Sequence, residues 1–163
     1  MSVWTHINGN IRLDEFGEHS ERKIKSIMGK MKVYKPELSG LSEDDFSDDY
    51  NEITLPIGSE GSVLYSVVAN KDVSSLPAYS ISIWGDLRDY DTDKVNEELI
   101  PWFKDLLLTF KSGYMLMRNA ILEIEVEDGT HIALIGKQFY NKDKNDYIPK
   151  VFILDIEEKT KQV

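Results

Sequence analysis

Residues 120–135 constrain the fold of this chain more than any other stretch. Ala120-Ile121-Leu122-Glu123-Ile124-Glu125-Val126-Glu127 alternates apolar and acidic side chains. A period of two places Leu122, Ile124 and Val126 on one face of a strand and three glutamates on the other. Asp128-Gly129 follows, the dipeptide that favours a type I′ hairpin turn because both central residues need positive φ. His131-Ile132-Ala133-Leu134-Ile135 then reads as the returning strand.

Other segments carry the same strand signal. Residues 63–69 are mostly apolar and β-branched. Residues 78–84 alternate, with Tyr79, Ile81 and Ile83 on one face and Trp84 off it. These two strands are expected to lie antiparallel and adjacent. Residues 4–13 contain Asn8-Gly9 and leave two readings open. One is a hairpin; the other is a single strand in which Gly9 marks a bulge or a close backbone approach. Residues 141–147 read as a polar loop, residues 151–156 as a last strand, and the charged tail from 157 as frayed.

Two segments have helical spacing. In residues 20–31, Ser20 suits an N-cap, and Ile24, Ile27, Met28 and Met31 form one stripe. After a turn expected at 85–90, Asp91 or Thr92 caps a second helix. Its apolar positions are Val95, Leu99, Trp102, Phe103, Leu106 and Phe110. Pro101 falls inside this pattern, so the helix either kinks there or restarts with proline in its first turn.

The order of elements points to the α+β class. The expected architecture is an antiparallel sheet of about five to seven strands covered by two amphipathic helices. With 163 residues, one domain over the whole chain suffices. Residues 37–52 hold seven acids and no Lys or Arg, and read as an exposed acidic loop.

Composition removes several classes of function. The chain has no cysteine, which excludes thiol catalysis, cysteine-ligated metal and disulfides. The net charge of −10 repels phosphate backbones and disfavours direct nucleic-acid binding. No basic start leads into an apolar run, and no apolar run is long enough for a membrane span, so a cytoplasmic protein is expected.

Trp4-Thr5-His6-Ile7-Asn8-Gly9-Asn10-Ile11-Arg12 and Trp84-Gly85-Asp86-Leu87-Arg88-Asp89-Tyr90 resemble small acidic proteins of tailed bacteriophages. The resemblance covers the N-terminal segment and the region around 57–90. It implies a phage origin, and with it the host cytoplasm as location and action on host machinery or host defence. It carries over no catalytic residue.

Few constellations carry chemistry. Asp86, Asp89, Asp91 and Asp93 surround Arg88 between a strand and a helix. Oxygen ligands so placed can hold Mg²⁺ or Mn²⁺, although aspartates are also the ordinary residues of turns and caps. His6, His19 and His131 show no metal spacing. Gly58-Ser59-Glu60-Gly61-Ser62 has the look of a phosphate loop but lacks a Walker lysine and precedes a strand.

The leading expectation is a non-enzymatic binding protein that modulates or inhibits a host protein through an acidic surface. Thirteen of the 29 acids lie in residues 37–52 and 86–98. Such a surface attracts a protein partner with a basic patch. The candidate binding residues are Asp44, Asp45, Asp48, Asp49, Trp84, Asp86, Arg88 and Asp89, with no cofactor and no metal. The alternative is a metal-dependent hydrolase or phosphoryl-transfer enzyme using Asp86, Asp89 and Asp91. A virion or assembly component is a third class, since spare strand edges allow a homo-oligomer.

Overall fold

A computed structural model describes residues 2–15, 55–70, 78–110 and 115–156. Among them six strands form one antiparallel sheet. These are β1 (Trp4–Glu15), β2 (Leu64–Asn70), β3 (Ala78–Arg88), β4 (Met115–Val126), β5 (His131–Asn141) and β6 (Asp146–Asp155). The spatial order is β2-β3-β1-β4-β5-β6, so the N-terminal strand lies in the middle. The expected antiparallel sheet is therefore present, and β2 and β3 are neighbours as the sequence suggested.

One continuous helical segment packs on the sheet. It comprises α1 (Thr92–Lys94), a π-helical turn (Val95–Leu99) and α2 (Ile100–Thr109). Asp91 is the N-cap, its side chain accepting from the Lys94 N–H at 3.0 Å. Pro101 has no N–H and would crowd the preceding turn of a regular helix. The chain accommodates it by widening: the Ile100 N–H bonds the Val95 carbonyl, one residue further back than in an α-helix. The two helices anticipated from sequence reduce to this one among the described residues. The segment 20–31 lies outside them, as do the acidic stretch 37–52 and the tail from 157.

The core lies between the helix and one face of the sheet. Ile7, Ile11, Ile81, Ile83, Leu122, Ile124 and Leu134 are buried there, together with Val95, Leu99, Trp102, Phe103, Leu106 and Leu107 of the helical segment. Leu107 occupies the space where Gly136 lacks a side chain, which brings the helix close to β5. Alternation then turns the even-numbered residues of β1 and β3 and the odd-numbered residues of β4 from Asn119 to Glu125 to the opposite, outer face. Among the described residues no helix covers that face.

Several boundaries differ from expectation. Asn8-Gly9 is no hairpin, because β1 runs unbroken through it and pairs on both sides. Residues 85–88 are not a turn. β3 continues to Arg88 because β1 supplies partners as far as Trp4↔Arg88. The Asp128-Gly129 connection is not type I′, since only Gly129 has positive φ (102°). It is a three-residue loop in which the Gly129 N–H donates to Val126 and the Val126 N–H donates to Thr130. The polar stretch 141–147 shrinks to a turn at 142–145, with Asn145 at φ 48°. The strands beside it extend to Asn141 and start at Asp146, because each satisfies the other's backbone.

Candidate functional site

The candidate residues of β3 and its end separate into distinct roles. Trp84, Asp86 and Arg88 share the outer face, two residues apart on one strand. Trp84 is 40% exposed and so belongs to no second core. Asp86 stands directly opposite His6 on β1, and its Oδ1 lies 2.6 Å from His6 Nδ1. Arg88 Nη1 donates to Glu60 Oε1 at 2.8 Å. Asp89 occupies the left-handed turn that ends β3, at φ 55°, and its carboxylate accepts from the Ser59 hydroxyl. The Lys94 ammonium donates to the Asp89 carbonyl at 2.7 Å, closing the turn onto the helix start.

The glycine-rich segment 58–62 is absorbed by this arrangement. The Ser59 N–H donates to the Arg88 carbonyl at 2.8 Å and the Arg88 N–H to the Glu60 carbonyl at 2.9 Å. The loop thereby continues the sheet beyond β2. Gly61 adopts φ 76°, and a Cβ there would run into the Asp86 carbonyl. Its glycine serves close backbone packing, with no helix N-terminus behind it to favour a phosphate.

Asp86, Asp89 and Asp91 do not converge. One faces His6, one closes a turn and one caps the helix. Among the described residues no three Asp, Glu, His or Cys side chains could hold a metal ion together. Asp44, Asp45, Asp48 and Asp49 lie outside the described residues.

What the structure does bring together is the outer face. The register aligns Asp86, His6, Glu125 and His131 as one row across β3, β1, β4 and β5. His131 Nε2 lies 2.8 Å from Glu123 Oε1, one step along β4. Acids and imidazoles thus alternate at this end of the face. The middle of the face is apolar at its flanks: Leu64, Trp84, Ile121, Phe139, Phe152 and Leu154 are each 40–49% exposed. Phe139 and Phe152 make an edge-on ring pair at 6.1 Å.

The far end is basic. Arg12 and Lys137 point outward there, and Lys150 stands opposite Lys137. Lys150 lies 5.4 Å from the centroid of the Phe139 ring. A bulge in β4 between the partners of Arg12 and Leu13 adds Arg118 to the same end. Arg118 and Arg12 flank the carboxylate of Asp14, which is buried beneath them.

Sequence reasoning singled out Trp84 and Asp86 on this face but missed His6, Glu123, Glu125 and His131 as their neighbours. The alternation at 120–127 already put the glutamates on one side. Which strand they would adjoin was not legible. The chain matches no known protein family, no curated protein and no solved structure. Among the described residues no helix is long and apolar enough to cross a membrane.

Proposed function

We propose that this chain is a non-enzymatic binding protein that engages a protein partner through the outer face of its sheet. One observation carries the reading: six large apolar side chains, each 40–49% exposed, share one face that no described helix covers. Exposed aromatic groups on a rigid sheet are good anchors, because they contribute large contact area for little ordering cost. Asp86, Glu123 and Glu125 at one end of the face suit a basic patch on the partner and would speed encounter. A host protein of the cytoplasm is the partner class that the phage resemblance of the Trp4 and Trp84 segments implies.

The test is affinity capture from bacterial lysate with the wild-type chain and with Trp84→Ser/Phe152→Ser. A partner recovered in stoichiometric amount by the wild type and lost by the variant, at unchanged melting temperature, is the expected result. Equal recovery by both would remove the outer face as the contact.

A further inference from the structure

The outer face carries opposite charges at its two ends. Arg12 and His6 lie six residues apart on β1, which is about 20 Å of strand. The His6 end holds Asp86, Glu123 and Glu125, with Arg88 there paired to Glu60, while the Arg12 end holds Arg118, Lys137 and Lys150 around the buried Asp14. Between them lie apolar groups such as Ile121 and Phe152. A face of this kind is its own electrostatic complement. A twofold axis lying in the face and running across the strands reverses strand direction. It sets the acidic end of one copy over the basic end of the other.

We infer that in the free protein this face is covered by a second copy of the chain, packed sheet to sheet as an isologous dimer, which the host partner would displace. The inference rests on the reading of the outer face as a binding surface and names what covers it before that partner binds. Such packing keeps β6 over β6, so Phe152 and Leu154 of the two copies meet in a shared apolar layer. Sheets pack face to face with their strand directions nearly aligned, as this axis produces. A twofold axis along the strands would instead place acid on acid and is excluded by repulsion. The net charge of −10 on each copy opposes association at long range. At contact the local pairing of unlike ends dominates, because screening removes charges more distant than about 8 Å at physiological salt.

The test is sedimentation of the full chain over the micromolar range. The wild type is expected at twice the 18.7 kDa chain mass. Lys137→Glu/Lys150→Glu cancels the positive charge of the basic end, and Glu123→Lys/Glu125→Lys makes both ends basic. Each variant alone is expected to be monomeric, and an equimolar mixture of the two is expected to regain the dimer. A monomeric wild type, or a dimer indifferent to both reversals, overturns the inference. Should either variant fail to fold, carbodiimide cross-linking of mixed ¹⁴N and ¹⁵N wild-type protein gives the answer. Links between Lys137 or Lys150 of one copy and Glu123, Glu125 or Asp86 of the other are expected, and their absence overturns it. A monomer that still captures a basic partner, and loses it with Trp84→Ser/Phe152→Ser, keeps the face as a binding surface and removes only the second copy.

Discussion

Gly9 of β1 lies so close to β4 that a Cβ on it would sit 2.5 Å from the Ile121 carbonyl oxygen and 2.8 Å from Leu122 Cδ1. The central strand pair is therefore built around a missing side chain. Gly9→Ala must push β1 and β4 apart or displace Leu122. Overpacking of this sort costs about 1–3 kcal/mol. Thermal melts should show the loss, and an unchanged melting temperature would mean that the two strands are not so closely apposed.

Leu106 is fully buried on α2, within the cluster that includes Phe103 and Leu107. Leu106→Ala is expected to destabilise the chain by about 2–5 kcal/mol, the range for a truncated core leucine. Denaturant titration reads this directly. A change near zero would contradict the packing of the helix on the sheet.

Asp86, Asp89 and Asp91 each have a separate structural partner. Millimolar Mg²⁺ or Mn²⁺ should leave the melting temperature unchanged, since a ligand raises it only by binding the native state. A saturable rise that vanishes in Asp86→Asn would bring back the metal-dependent enzyme.

Asp128 accepts from the Thr92 hydroxyl at 2.6 Å and from the Thr130 N–H at 2.9 Å. The Thr92 bond is the main reason its carboxyl is held below the ordinary value of 3.8. A carboxyl lowered in the folded state adds stability above its unfolded pKa. That contribution is lost as pH falls through the lowered folded value. Thr92→Val should therefore melt slightly below wild type at pH 7, and the two melting temperatures should converge near pH 2. Because Asp128 is exposed, the gap at neutral pH is small. Curves that stay parallel through the acid range would show that Thr92 acts without the carboxylate.

Much of the fold was legible locally. Leu122, Ile124 and Val126 announced a half-buried strand, because alternation is a property of consecutive residues. Asp91 or Thr92 announced a helix start for the same reason, since a cap acts on amides two or three positions away. Length and number of strands were less legible. The ends of β3, β5 and β6 are set by pairing with neighbours, and a turn-like composition such as Gly85-Asp86 yields when a partner strand satisfies its backbone.

What the sequence by itself determined is the broad class of the fold and the polarity of the strand faces at 78–84 and 120–127. Only the tertiary structure decided which faces meet. His6, Asp86 and Glu125 are separated by 80 residues and by 39 residues along the chain, yet share one row. Their meeting follows from the placement of β1 between β3 and β4 and from the register of both ladders. No local pattern encodes that register, because it is chosen by burial of the opposite face: a slip of one residue would turn Ile7 and Ile11 out of the core. The division of the outer face into an acidic and a basic end is a consequence of the same choice.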